Sequence, residues 1–278
     1  MLQRMPSSDP VAVFPAGSPT ASALADLTEG LRAWHLWGRL AWYQVRGQYR
    51  QSVIGPLWLT LSMAVLVGSL GFLYTYLFHR DPAEYLPYLA GGFVLWGLIA
   101  RMVNDGCNVF IGGSQFIKQI RLPLSLLVYR MVLKNFIILA HHFVVLVAVM
   151  VLVRLWPGWV GLLVLPGLAL FVLNGLWVAL LLGTISARFR DVPPVIGSLL
   201  QLSFFLTPIL WHPDMRPGLT YVVNLNPFYH FIHIVRAPLL GELPGLHNYL
   251  AAGAITLAGW TLALLVYRRY RNRIAYWV

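Results

Sequence analysis

Long apolar segments separated by short polar stretches dominate the hydrophobic pattern of this chain. A helix needs about 20 mainly apolar residues to cross the hydrocarbon core of a membrane. The pattern therefore predicts an all-α polytopic membrane protein with six transmembrane helices, formed by a single membrane domain at residues 30–278. The six segments are about 54–78, 86–102, 126–153, 159–185, 195–211 and 249–267.

Composition agrees with this fold class. Of the 278 residues, 59% are hydrophobic and only 10% are charged, and the mean hydropathy is +0.70. That leaves too little polar surface for a soluble domain. The formal net charge of +11 would suggest nucleic-acid binding in a soluble protein, but here the basic residues lie between apolar runs. Most of them fall on the side of both termini, so the positive-inside rule predicts that both termini are cytoplasmic.

The first residues differ from the rest of the chain. Residues 1–29 are rich in Pro, Ser and Ala and lack the compact apolar region of a signal peptide. We expect them to form a flexible cytoplasmic tail. Cys107 is the only cysteine, so an intrachain disulfide is excluded.

Residues 30–51 form a predicted amphipathic helix rather than a span. At 100° per residue the arginines fall on one side, and a mainly aromatic and aliphatic set falls on the other. Such a helix lies in the membrane interface. It either anchors the first span or also contacts an anionic phosphate, since guanidinium donates two parallel hydrogen bonds to phosphate. The contact candidates are Arg39, Arg46 and Arg50.

A short helix is predicted at 114–122, between the second and third spans. Ser114 is a candidate N-cap, and Pro123 would stop the helix. Its apolar strip consists of Phe116, Ile117 and Ile120, with Lys118 and Arg121 on another side. Such a helix suits a groove on a partner protein, although an ordinary surface turn is the alternative.

Residues 212–246 are too long for a simple loop and largely apolar. Asn224, Asn226 and Pro227 interrupt the run, and each half is too short to cross the bilayer. We expect two short re-entrant helices dipping from the outer face, the second starting near Phe228. Two helices lying flat on that face are the alternative.

Aromatic residues are abundant, and most fit an interfacial belt at the span ends. A minority are candidates for lining a glycan path, because aromatic rings stack on the apolar faces of sugars. These are Trp58, Phe72, Tyr74, Tyr76, Trp96, Phe204 and Phe205.

Several chemistries lack the residues that they need. The chain has no G-x-x-x-x-G-K-[ST] motif, so it cannot bind ATP by a P-loop. His141 and His142 are adjacent on a predicted helix and point about 100° apart, so they cannot share one metal ion. Asp105 is the only acid near a span interior, which argues against a proton-driven carrier and a carboxylate-based intramembrane enzyme.

A series of short motifs resembles the ABC-transporter permeases for polysaccharide and polyol-phosphate export. The series begins with residues 49–58, which read YRQSVIGPLW. The stretch at 85–142 looks most similar to permeases of lipopolysaccharide O-antigen export. The later motifs, in order, are 116–119 with 122–123, then 187–191, 207–209, 226–228 and Arg236.

The resemblance implies more than the residues show. It implies a homodimer with a channel between the protomers, in the bacterial inner membrane, and two copies of a separate ATPase that binds ATP and magnesium. The chain itself would have no cofactor and no enzymatic activity. Residues 114–122 would be the coupling helix, 30–51 the gate helix at the interface, and the segment around 226–228 the periplasmic gate.

The implied substrate is an undecaprenyl-diphosphate-linked glycan. A permease for a drug or small lipid, or a membrane enzyme acting on polyprenyl lipids, remains an alternative.

The predicted gate helix departs from the family at one place. Family members often carry a charged pair where this chain has Trp42 and Tyr43.

Overall fold

A computed structural model describes residues 23–48, 54–55, 57–79, 81–120, 122–215, 218 and 220–278. The regular structure in these ranges is helical, which confirms the predicted all-α class. The α-helices are α1 (Ala23–Arg32), α2 (Trp34–Gln48), α3 (Leu57–Phe78), α4 (Pro82–Cys107), α5 (Ser114–Gln119), α6 (Ser125–Leu152), α7 (Val164–Arg188), α8 (Val192–Leu206), α9 (Thr220–Leu225), α10 (Pro227–Leu239) and α11 (Leu246–Trp277).

Five of the described helices are long and apolar enough to cross a membrane. They are α3, α4, α6, α7 with the 3-10 turn at Gly158–Leu163 that precedes it, and α11. A multi-pass membrane protein is therefore established.

The predicted fifth span, at 195–211, has only a 15-residue helix, α8. That helix is about 22 Å long, which is less than the hydrocarbon core needs. It ends at Leu206, and the next residue, Thr207, has an extended backbone with φ −90° and ψ 133°. Thr207 precedes Pro208, and the proline ring disfavours helical angles at the residue before it. Residues 207–211 continue without helix, so the span at 195–211, and with it the count of six spans, stays a prediction.

The long helices define two ends of the bundle. Helix α5, the loop between α7 and α8, and the last turn of α11 share one end, which we call the α5 end. Helix α9, the start of α4 and the loop between α10 and α11 share the other, which we call the far end.

Helix α4 lies at the centre of the bundle and packs against α3, α6, α7, α8 and α10. Of the most apolar 18-residue stretch of α4, 72% is buried, whereas the corresponding stretches of α3 and α11 are each 22% buried. Small residues permit this close packing: a Cβ added at Gly106 would lie 3.1 Å from the Cα of Ala179 on α7.

The start of the chain differs from the prediction. Residues 23–29 belong to α1 rather than to a flexible tail, and the helix expected at 30–51 is two helices that meet at Ala33. The carboxylate of Asp26 explains the first difference, because it is buried and binds the start of α6. Gly30 lets α1 approach α6 closely, since a Cβ there would overlap the hydroxyl of Ser125.

The region expected to be re-entrant contains α9 and α10, separated at Asn226. Helix α10 is enclosed by α4, α7 and α11, and its rings include Phe231, 6.0 Å from Phe171 of α7. Its depth in a bilayer stays a prediction.

Candidate functional site

Helix α5 presents an exposed surface at the α5 end. None of its six residues is buried. Ser114 is its first residue and makes no capping bond, because Gly113 occupies the N-cap position. The helix ends at Gln119, before Pro123, and Ile120 just beyond it is 51% exposed.

Two side chains anchor α5 to the bundle. Ile117 packs against the core, and the ring of Phe116 lies 5.5 Å from the guanidinium carbon of Arg130 on α6. Lys118 donates a hydrogen bond of 2.7 Å to the backbone oxygen of Val278. The apolar strip is therefore divided, with Ile117 facing inward and Ile120 facing outward.

The last turn of α11 connects the two loops of this end. Lys118 contacts it from α5, and Arg190 contacts it from the loop between α7 and α8. Arg190 Nη2 donates to the carbonyl of Trp277 at 3.0 Å. The guanidinium of Arg188 lies 5.6 Å from the Trp277 ring. A displacement of α5 would therefore reach α7, α8 and α11 together.

Helix α2 keeps the predicted division into two faces. Ala41 and Val45 are buried, and Trp37 packs 5.9 Å from Tyr129 of α6. Arg39 and Arg46 are exposed on the opposite face. Arg50 and Arg121 lie outside the described residues.

The aromatic candidates fall into two groups. Trp58, Phe72 and Phe205 are exposed on the described surface, as is Tyr76, and Tyr74 is half-buried. Trp96 is buried instead, with Phe204 at 5.7 Å and Phe228 at 5.4 Å. Trp96 and Phe204 are therefore packed inside a single chain, and their role in a channel stays a prediction.

Asn226 organises the predicted gate. Its Oδ1 accepts from the backbone N–H of Phe228 at 2.9 Å and caps α10, while Pro227 occupies the first turn. Its Nδ2 donates to the hydroxyl of Thr207 at 2.8 Å, which ties the gate to the end of α8. Asn224 is exposed, and its carbonyl lies 2.9 Å from Nε2 of His230.

A polar cavity of about 370 Å³ opens at the far end, beside α10. The Arg236 guanidinium is buried there, 3.8 Å from the Tyr88 ring, and donates to the carbonyl of Pro208 at 2.9 Å. Burial, followed by the charge of Arg236, lowers the pKa of His233 to about 4, so its imidazole is neutral at pH 7.

Comparison with known proteins identifies the family. Residues 35–240 match the model of the family described as ABC-2 type transporter. This chain belongs to that family. ABC-2 permeases are membrane subunits that work with a separate ABC ATPase, so an ATPase partner follows from membership.

Curated relatives of this permease carry one name. An O-antigen export system permease protein RfbA of Klebsiella pneumoniae is 23% identical over 237 residues, covering 82% of this chain and 89% of the relative. An O-antigen export system permease protein RfbA of Myxococcus xanthus is 24% identical over 241 residues, covering 84% and 91%. The similarity therefore extends over most of both chains.

Sequence reasoning missed two sets of polar contacts in this permease, although it named Asp105 and His142 individually. One is Asp26, which it placed in the tail. The other joins α4 to α6: Lys134 Nζ lies 2.6 Å from Asp105 Oδ2, and Arg101 lies 3.3 Å from Nδ1 of His142. The spacing of charges inside apolar runs was a signal for the second set. Among the described residues, no group of three or more His, Cys, Asp or Glu is placed to hold a metal ion.

Proposed function

We propose that this permease is the membrane-spanning subunit of an exporter that carries an undecaprenyl-diphosphate-linked polysaccharide across the bacterial inner membrane. Both termini face the cytoplasm, and the α5 end is the cytoplasmic end. Two copies form the channel, and two ATPase subunits supply ATP hydrolysis with magnesium. The permease itself has no enzymatic activity and no cofactor.

The observation that carries this proposal is the length of the match to O-antigen export permeases. The similarity covers more than four fifths of the chain for two relatives from different organisms. The ABC-2 family match at 35–240 includes α5, α10 and α2 from its second residue, which are the elements with proposed roles. A match confined to the spans would have supported only a membrane fold.

The apolar surface of a single chain supports the homodimer. Helix α8 has only Leu200 buried, and α3 buries a single narrow face. Their other faces are exposed and apolar, so they meet lipid or a second copy. In the proposed dimer these helices border the channel, and Asn226 holds the outer gate closed.

The coupling role of α5 predicts a specific loss. Changing Ile120 to Asp places a charge on the exposed apolar tip, and we expect about tenfold weaker binding of the ATPase because the carboxylate must be desolvated. The assay is co-purification of the permease with the ABC ATPase encoded beside it. The rate of ATP hydrolysis by the complex is then measured in lipid nanodiscs. Ile120 is chosen rather than Ile117 because Ile117 packs against the core. A charge at Ile117 would affect folding as well as docking.

The matched control is Leu243→Asp. Leu243 is 64% exposed in the loop at the far end, so the same substitution is made away from the proposed docking surface. Unchanged ATPase binding by Ile120→Asp would remove α5 from the interface. Failure of the wild-type chain to bind any ABC ATPase would refute the exporter itself.

Phosphate capture by α2 predicts an export defect without loss of assembly. Arg39 and Arg46 are seven residues apart on one exposed face, and the proposal adds Arg50. We expect the double change Arg39→Gln, Arg46→Gln to reduce export at least tenfold, since each contact is a charge-assisted hydrogen bond. Surface glycan is measured in cells that lack the native permease.

Gln44→Ala, at another exposed position on α2, is the control for that change. Wild-type export by the arginine variant would remove these two arginines from substrate capture. Reduced export with reduced permease abundance would place their role in folding.

A further inference from the structure

One face of α4 is polar although the helix is central and apolar. In the half nearer the α5 end, the buried positions are Leu98, Ile99, Met102, Gly106 and Cys107. The exposed and partly exposed positions, apart from Val103, recur at helical spacing and share one face. This face, which we call the α4 stripe, consists of Gly97, Ala100, Arg101, Asn104, Asp105 and Asn108.

The α4 stripe cannot face lipid at low cost. Charged side chains inside apolar helices are expensive and almost always face a bundle interior or a water-filled cavity. Helix α6 borders the stripe on one side through Arg101 and Asp105. Helix α8 borders it on the other, since a Cβ at Gly197 would lie 3.7 Å from Asn104 Oδ1. The stripe therefore lies between α6 and α8.

The charged side chains of the stripe contact polar partners on α6. Lys134 and Asp105 form an ion pair, and Asn135 donates to the same carboxylate oxygen at 2.8 Å. Arg101 adds a further positive charge. Guanidinium only donates hydrogen bonds, so Nδ1 of His142 accepts from Arg101 and that ring is neutral. Among the described residues, this group holds two cations, Lys134 and Arg101, and one carboxylate, Asp105.

Arg101 lies well inside the membrane domain. His142, its partner, is about 25 Å along the helix axis from Ser125, the start of α6. Arg101 itself is about 9 Å from Cys107, the end of α4. The contact with His142 holds the guanidinium at this depth, and a Cβ at Gly97 would lie 3.1 Å from Arg101 Nη1.

We propose that the α4 stripe lines the substrate path and that Arg101, positioned by His142, binds the phosphate group of the lipid-linked substrate part-way through the membrane. This inference rests on the proposed export function. Arg101 would be a second contact for the phosphate, in addition to the arginines of α2. It would bind the phosphate inside the membrane domain rather than at the interface. A planar guanidinium suits that role because it donates two parallel hydrogen bonds to phosphate oxygens.

The first test measures water access to the stripe. In a Cys107→Ser background, the variants Ala100→Cys and Asn104→Cys are treated with a charged methanethiosulfonate reagent in nanodiscs with the ATPase, at rest and during turnover. Leu257→Cys and Val144→Cys, on exposed apolar faces of α11 and α6, are the controls. We expect the stripe positions to react at least tenfold faster. If the stripe positions reacted no faster than the controls, both at rest and during turnover, the proposed path would be overturned.

The second test measures phosphate recognition. The probes are undecaprenyl diphosphate and undecaprenol, added to the permease–ATPase complex in nanodiscs, and the readout is stimulated ATP hydrolysis. We expect Arg101→Met to raise the diphosphate concentration for half-maximal stimulation about tenfold, Arg101→Lys to raise it less, and undecaprenol to be inactive in all variants. Arg154→Met removes a cation at the far end and should behave as wild type.

The outcomes separate the two proposals. A wild-type complex that binds the ATPase but ignores undecaprenyl diphosphate would refute the proposed substrate and the Arg101 contact together. A responsive wild type with an equally responsive Arg101→Met would overturn the Arg101 contact alone and leave the export function standing. Stimulation by undecaprenol equal to that by the diphosphate would show lipid-tail recognition and also overturn it.

Discussion

Replacing Asp26 with alanine is expected to lower the free energy of unfolding by about 3 kcal/mol and to release α1 from the bundle. The Asp26 carboxylate is only 5% exposed. It accepts from the backbone N–H of Leu124 and of Ser125, both at 3.0 Å, and from the Tyr267 hydroxyl at 2.8 Å. It thus caps α6 from another helix and joins α1, α6 and α11. Alanine leaves all three donors buried without an acceptor.

The measurement is thermal unfolding of the purified permease in detergent, followed by size-exclusion chromatography. A loss of this size corresponds to a decrease of about 6–12 °C in Tm. Asp26→Asn should lie between wild type and alanine, because its amide group meets backbone donors with one acceptor fewer.

Asp191→Ala is the matched control for Asp26. Asp191 precedes α8 at the N-cap position, is exposed, and makes no capping bond. We expect its removal to change Tm by about 2 °C or less. Equal effects of the two substitutions would show that the buried joint at Asp26 does not contribute specially to stability.

Removing Asp105 alone should also cost about 3 kcal/mol, for a different reason. Lys134 is 7% exposed, and its Nζ lies 2.6 Å from Asp105 Oδ2. Asp105→Ala would leave that ammonium inside the bundle without its carboxylate. Asn135 Nδ2 would also lose this acceptor and keep only its hydrogen bond to the Met131 carbonyl as a bond to oxygen.

A double variant without either charge separates the effect of the stranded charge from that of the lost contact. The variant Asp105→Asn, Lys134→Met removes both charges and keeps an amide acceptor for Asn135, so we expect it to lose less than about 1 kcal/mol. Stability is followed by titration with sodium dodecyl sulfate in mixed micelles. A double variant as unstable as Asp105→Ala would show that the ion pair itself, rather than the unpaired lysine, matters.

The sequence predicted those elements whose stability comes from local pattern and from the membrane. Apolar length located α3, α4, α6, α7 and α11, because backbone groups in hydrocarbon must pair within a helix. Local chemistry located the break at Asn226 and Pro227, where a side-chain cap and a proline start α10. The same reasoning predicted a fifth span at 195–211, and within it the helix α8 ends at Leu206, before Pro208.

The candidate site divides in the same way. A short helix beginning at Ser114 follows from the sequence, but the opposite directions of Ile117 and Ile120 depend on contact with the core. Trp96 and Phe204 look equivalent to Phe205 in the sequence. Packing against Phe204 and Phe228 buries Trp96, whereas Phe204 is partly buried and Phe205 is exposed.

The sequence by itself determined the class of this protein: a helical membrane permease with a basic α5 end, no P-loop, and motifs of the ABC-2 family. These properties depend on composition, on runs of neighbouring residues and on short motifs. The tertiary structure alone decided which polar residues meet, as with Asp26 and the start of α6, Lys134 and Asp105, and Arg101 and His142. A buried polar group needs a partner, and that partner lies far away in sequence, so only the folded chain brings the two together.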